Sequence, residues 1–212
     1  MKKFELTKTT KEVYGRTLYQ IKAKVAFGNV DNGELGGWIE KEDNLSQEDN
    51  AWVYDDAWVY GNARVSGNAR VYGDAWVYDD AEVYSNARVS GNARVSGDAW
   101  VSGDAWVYDD AEVYSNAEVS GDARVYGDAE VSGNARVYSD AWVYGKLKLE
   151  FGWCFGRKRA DWDVTELENE DEILLIKDYK PAEKEEDEVD VTVEGKTVQI
   201  SRKSAIALGL LN

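Results

Sequence analysis

The sequence predicts an all-β solenoid, and three observations carry that expectation. From Ala51 to Gly145 one six-residue phrase, Ala-x-Val-x-x-(Asn/Asp), repeats without insertion. Sixteen alanines, Ala51 to Ala141, each precede a valine two residues on, Val53 to Val143. Residues two apart share one side of a strand while their neighbours point the other way, so each phrase has one buried and one exposed row. Between a valine and the next alanine stand pairs such as Gly61-Asn62, Gly67-Asn68, Asp79-Asp80, Ser85-Asn86 and Gly127-Asp128. These residue types tolerate left-handed or turn backbone and bond their own main chain, so each phrase reads as strand, then corner.

Burying one valine contributes ~1.5–3 kcal/mol, whereas ordering the backbone costs about 1–2 kcal/mol per residue. A single coil therefore cannot stand, and stability has to come from ladder hydrogen bonds and contacts between stacked coils. The strict period of six, with an aliphatic residue two after a small one, resembles the hexapeptide repeat of left-handed parallel β-helices, in which three hexads make one triangular coil. The resemblance covers about half of the chain. It implies about five or six coils, roughly 25 Å long, spanning Leu45 to Leu149.

Residues 1–44 do not follow the rule and read as an N-terminal β cap. Lys2 to Leu6, Glu12 to Tyr14 and Thr17 to Phe27 are expected as short strands, with turns at Gly15-Arg16 and at Asp31-Asn32-Gly33. The solenoid is expected over 45–149, opening on Asn44-Leu45-Ser46-Gln47, a degenerate hexad with Leu45 at the alanine position. A bulkier residue there would plug the open end of the prism. The lead-in Leu35-Gly36-Gly37-Trp38-Ile39-Glu40 plus Asn44-Leu45-Ser46, followed by Ala-Trp-Val-Tyr hexads, resembles a group of bacterial and bacteriophage or prophage hexapeptide-repeat proteins, some of them labelled acyltransferase.

A C-terminal cap is expected over 150–180. Leu147 and Leu149 take the alanine and valine positions of a seventeenth hexad, and Trp153 and Phe155 those of an eighteenth. The apolar Ile173-Leu174-Leu175-Ile176 reads as a strand or short helix on the last coil. Residues 181–188 turn to Glu, Asp, Lys and Ala and read as an acidic linker. In 189–212, Val189, Val191 and Val193 alternate with polar residues, Glu194-Gly195-Lys196 is a turn signal, and Val198 and Ile200 alternate again. Ser201 can cap a short helix to Leu208, which makes the tail a small ββα unit.

The 212 residues include 41 Asp and Glu against 25 Lys and Arg, a formal charge of −16, with one Pro, one Cys and no His. That balance disfavours direct nucleic-acid or membrane binding, both of which require basic surface. A single Cys154 forms no internal disulfide, and Met1-Lys2-Lys3-Phe4-Glu5 does not run on into an apolar segment, so a cytoplasmic setting is expected. Resemblance to hexapeptide-repeat acyltransferases implies a histidine base, and resemblance to carbonic anhydrases of this fold implies three zinc-binding histidines. The chain has neither. Nor does any loop break its hexads, so no enzymatic activity and no cofactor are expected. The corner pairs Asp55-Asp56, Asp79-Asp80 and Asp109-Asp110 are explained as turns, without a metal.

Residues eighteen apart stack, so the exposed row resolves into faces. The first carries Trp52, Arg70, Arg88, Trp106, Arg124 and Trp142 before the valines, and Tyr54, Tyr72, Ser90, Tyr108, Tyr126 and Tyr144 after them. No acidic side chain occupies either strand position of this face. The second face (Trp58, Trp76, Arg94, Glu112, Glu130) and the third (Arg64, Glu82, Trp100, Glu118, Arg136) read as solvated charge ladders. Stacked aromatics can simply glue coils together, but Trp, Tyr and Arg on one flat surface is the composition of a protein interface. The expected function is a non-enzymatic protein-binding scaffold acting on a host or self protein, with a homodimer or homotrimer as one form of that contact. The phage resemblance extends this to an accessory protein or host-defence inhibitor. An acidic nucleic-acid mimic and a degenerate acyltransferase are the alternative readings.

Overall fold

The computed structural model describes residues 2–155, 157–158, 173–174, 188–193 and 196–201. The expected three-sided parallel β-solenoid is present, its hexad strands running from Trp52–Val53 to Lys148–Leu149. Each hexad contributes a short strand, such as Trp58–Val59 or Arg64–Val65, which pairs in parallel with the strand eighteen residues on, as in Arg88↔Trp106 and Val89↔Val107, until the last coil, where Arg136 pairs with Trp153 and Trp142 with Arg157. The alignment comes from the backbone ladder. Trp52 N–H donates to Ala69 O at 3.1 Å and Tyr54 N–H to Val71 O at 2.8 Å, and the pattern repeats up the stack. With three strands per coil, three parallel sheets enclose a prism. Its interior is the Ala and Val rows, every one of them at most 1% exposed between Ala51 and Val143.

The corners follow from the residue after each tyrosine or serine. Asp55, Asp79, Ser85, Asp109, Ser115 and Ser139, with the glycines at other corners, have positive φ. A turn bond closes many of them, for example Ala87 N–H to Tyr84 O at 3.3 Å. At Asp55/Gly73, Asp79/Gly97, Ser85/Gly103, Asp109/Gly127 and Ser115/Gly133 an Asp or Ser in this conformation has glycine at the corner one coil on. The Cβ at such a corner points along the stack, and it is accommodated against backbone that carries no side chain of its own. In the second corner position, asparagines hand hydrogen bonds up the stack: Asn50 Nδ2 to Asn68 Oδ1 at 2.9 Å, and Asn68 Nδ2 to Asn86 Oδ1 at 3.1 Å.

The N-terminal cap is longer-stranded than expected. Strand β1 (Phe4–Val13) pairs antiparallel with β2 (Arg16–Ala23), and β2 pairs with β3 (Leu35–Ile39). The β1–β2 turn is Tyr14-Gly15, both at positive φ, which matches the twist of a two-residue hairpin. Strand β3 pairs in parallel with Trp58–Val59 and so forms the first rung of the second face. The Gly36-Gly37 pair is explained by close approach. A Cβ on Gly36 would stand 2.5 Å from Val53 O, and one on Gly37 2.7 Å from Ala57 O. Phe4, Leu18, Ile21 and Ile39 are fully buried and cover the open end. Leu45 joins them, but it bridges in parallel to Val65, so it stands at a valine position rather than the expected alanine position. Asn44 is buried beside it, with Nδ2 donating to Ala63 O at 2.8 Å.

At the other end, Leu147 and Leu149 point inward as expected. The next hexad is one residue short. Trp153 pairs with Arg136 and Cys154 with Val137, so Cys154 is the buried residue and Trp153 and Phe155 stand outside, contrary to the expected assignment. Ile173–Leu174 adds a further parallel strand beyond Trp153–Cys154. Residues 175–176 and the acidic stretch 181–187 lie outside the described residues. A second unit, Lys177–Asn212, contains the expected hairpin of Glu188–Val193 and Lys196–Ser201, with Val191 opposite Val198. The expected helix after Ser201 lies outside the described residues.

Two predictions follow from these ends and corners. Gly121 and Gly73 have φ of 72° and 71°, so Ala at either carries the left-handed penalty of about 1–2 kcal/mol. A Cβ on Gly121 also meets Ser139 N at 2.8 Å, against 3.2 Å from Gly73 to Gly91 N. Gly121→Ala should therefore lower the denaturation midpoint more than Gly73→Ala.

The second concerns pH. Burial pulls the Lys3 ammonium down to about 8 from 10.5, with Asp49 acting in the opposite sense. Burial, then the neighbouring Tyr78 and Asp79, push the Tyr60 hydroxyl up to about 12 from 10.0. Between pH 8 and 10.5 the unfolded chain holds the Lys3 proton that the folded chain has lost, so stability rises with pH there. Between pH 10 and 12 the folded chain keeps the Tyr60 proton that the unfolded chain has lost, so stability falls. Urea titrations across this range should show the rise abolished by Lys3→Met and the fall reduced by Tyr60→Phe.

Candidate binding face

The first face is positioned by the ladder alone. Trp52, Arg70, Arg88, Trp106, Arg124 and Trp142 occupy successive paired positions in one parallel sheet. Since rungs stand ~4.8 Å apart, rings at equivalent positions are held near stacking distance. Tyr108 and Tyr126 stack with centroids 4.8 Å apart and planes 5° apart, and Tyr126 and Tyr144 at 5.0 Å and 3°. Arg88 lies over the Trp106 ring at 4.6 Å, and Arg124 is held between Trp106 at 5.4 Å and Trp142 at 4.9 Å. The edge-on pairs Trp106–Tyr108 and Tyr126–Trp142, at 6.3 and 6.4 Å, tie the two columns together. Burial, then Tyr126 and Asp109, push the Tyr108 hydroxyl upward, with Arg124 working against them.

The lower end differs from expectation. Trp52 is 0% exposed: Phe4 and Phe27 of the cap meet its ring edge-on at 6.1 and 5.4 Å. It belongs to the end plug, and the accessible face begins with Tyr54, itself half-buried, and Arg70. No local signal marks this, since Phe27 and Trp52 are brought together by the return of the cap onto the first coil. That return also creates a groove of about 410 Å³ lined by Asn29, Tyr54, Asp55, Arg70, Tyr72 and Arg88. Asn29 and Asp55 were absent from the expected site. Burial pushes the Tyr54 hydroxyl upward while Arg70 pulls it down.

The other two faces show what an arginine does here when an acid is available. Arg94 pairs with Glu112 at 3.1 Å, Arg136 with Glu118 at 3.7 Å and Lys148 with Glu130 at 2.7 Å. These are the expected charge ladders. The start of the second face is not. Trp58 stacks on Trp76 at 4.8 Å, Lys11 of β1 lies over Trp38 and Trp58 at 4.4 and 5.2 Å, and Tyr14 at the hairpin tip meets Trp76 at 6.1 Å. The cap hairpin thus lies against these tryptophans and covers part of each ring.

On the first face, Arg70 and Arg88 have no ion pair among the described residues. Cys154, the one thiol, is buried at an inward position. Among the described residues no group of three His, Cys, Asp or Glu is arranged to hold a metal ion. The Asp corners serve the fold instead, as where Asp55 Oδ2 accepts from Gly73 N–H at 3.1 Å.

The burial difference predicts that Trp52→Ala costs about 3–5 kcal/mol of stability, as for a large ring removed from a core. Trp100→Ala on the third face, where the ring is 46% exposed, should cost under 1 kcal/mol, since it leaves no closed cavity. Chemical denaturation of both variants measures this.

A family model described as YdcK beta solenoid repeat matches residues 63–79, 87–103 and 129–145, all within the stacked coils. No curated protein matches the chain. Together the coils and the repeat match make this chain a β-solenoid repeat protein with repeats similar to the YdcK type.

Proposed function

We propose that the chain is a non-enzymatic binding scaffold that engages a host or self protein through its first face, from Arg70 to Tyr144. One observation carries the reading: this face is a continuous Trp/Tyr/Arg surface without an acid at any strand position, on a chain of charge −16. Arg88 and Arg124 lie on indole rings rather than on carboxylates. Aromatic rings and arginine are the residue types that dominate binding energy at interfaces: the rings bury large area at small entropic cost, and arginine brings a planar fork of donors. The absence of histidine and of any loop between hexads supports a scaffold over a transferase.

The nucleic-acid-mimic reading has weaker support. Corner aspartates such as Asp104, Asp122 and Asp140 share one column, with a rise of ~4.8 Å per charge against about 3.4 Å of axis per charge on one DNA strand. Asn92, Asn116 and Asn134 interrupt the other two corner columns.

Affinity capture from bacterial lysate, with sedimentation velocity for self-association, compares the wild-type chain with Arg88→Glu/Trp106→Ala. Association should drop at least tenfold, since central anchors carry most of the energy. Arg64→Ala/Glu82→Ala on the third face is the control, chosen because Glu118 there holds Arg136 and accepts from the Tyr138 hydroxyl. Unchanged association of a folded Arg88→Glu/Trp106→Ala chain would reduce the face to coil-to-coil glue.

A further inference from the structure

On the other two faces Arg94, Arg136 and Lys148 each stand one rung from an acid and pair with it. At the lower end of the first face two arginines, Arg70 and Arg88, are adjacent rungs of one sheet instead. Two guanidinium groups on neighbouring rungs repel, and no ion pair among the described residues relieves Arg70. One carboxylate, Asp55, lines the groove with them, and it already accepts from Gly73 N–H at 3.1 Å. The arginines line the groove of about 410 Å³ whose other walls are Tyr54, Tyr72 and Asn29. A planar fork that donates two parallel hydrogen bonds is matched by a carboxylate or phosphate, and tyrosine hydroxyls and a carboxamide supply further donors.

We propose that this groove is a carboxylate-recognition site, which receives an Asp or Glu side chain from an acidic segment of the protein that binds the face. The inference rests on the binding-scaffold reading and adds the chemistry of the partner. A carboxylate rather than a phosphate is taken as the occupant because an unmodified protein segment presents anionic side chains only as Asp and Glu. A peptide is selected over a small free acid by continuity. Arg88 leans on Trp106 at 4.6 Å, so the groove opens directly onto the aromatic columns, and a chain anchored at Arg70 and Arg88 continues over Trp106 and Tyr108.

The probe is a dye-labelled hexaglutamate peptide, titrated with the full chain at low ionic strength and followed by fluorescence anisotropy. Saturable binding is expected, weakened about tenfold or more by either Arg70→Gln or Arg88→Gln, as for loss of a charge-assisted hydrogen bond. Arg64→Gln, exposed on the third face, should change it less than twofold. Both groove arginines point outward, so unchanged circular dichroism and melting confirm that the variants are folded. Inorganic phosphate at millimolar concentration should not displace the peptide.

Absence of saturable binding, equal loss in Arg64→Gln, or displacement by phosphate would overturn the proposal. If hexaglutamate fails to bind while Arg88→Glu/Trp106→Ala still abolishes partner association, the groove assignment falls and the scaffold reading stands. If hexaglutamate binds through Arg70 but partner association is untouched by both sets of variants, the scaffold reading falls, and with it the assignment of a partner to this groove.

Discussion

The hydrogen-bond ladder between coils is the constraint on which the rest of this structure depends. Each strand is only a few residues long and buries one valine and one alanine, too little to offset the entropy of ordering six residues. What makes the coil viable is that backbone N–H groups along it find a carbonyl one coil on, at about the same spacing every time. That spacing then propagates outward. Valines stack on valines, asparagines on asparagines at the corners, and tyrosines on tyrosines with planes within a few degrees.

A ladder has two ends, and most of the irregular sequence is explained by closing them. At the N-terminal end β3 joins the second face in parallel and β2 and β1 add to it as antiparallel strands, so the first coil's edge on that face is paired rather than open. Phe4, Ile21, Ile39, Leu45 and Trp52 fill the prism mouth with large side chains where the interior otherwise holds only Ala and Val. Lys3 is drawn in with them. Its Nζ donates to Ala51 O at 3.0 Å and Glu48 O at 3.1 Å, satisfying carbonyls of the first coil that have no rung beneath them. At the C-terminal end Leu147, Leu149 and Cys154 take over the interior.

With the interior and corners fixed by the ladder, the outward strand positions are where sequence variation can act. On the second and third faces that freedom is spent on alternating charge, which stabilises modestly at exposed sites. On the first face it is spent on aromatic rings and arginines, whose cation–π contacts each contribute about 0.5–1 kcal/mol when exposed. The cap contributes to this face as well. By covering Trp52 and bringing Asn29 over Tyr54 and Arg70, it turns one end of a flat sheet into a concave site.

The six-residue period was sufficient, by itself, to specify the repeating fold: which residues are buried, where corners fall, and which outward residues share a face. Period, strand alternation and left-handed backbone preference are all local, and a repeat multiplies a local signal. The turn residues of the cap and the alternating valines of the tail hairpin were legible for the same reason. What only the tertiary structure decided lies where the repeat stops. The deletion that moves Cys154 inward is one residue in a corner, and only pairing with Val137 fixes which neighbour takes the inward position. The Leu45 register is set by its bridge to Val65. Burial of Trp52, the covering of Trp58 and Trp76, and the groove at Arg70 all arise from the return of a hairpin onto coils that follow it in sequence. Such long-range contacts leave no period to read, because they are made once.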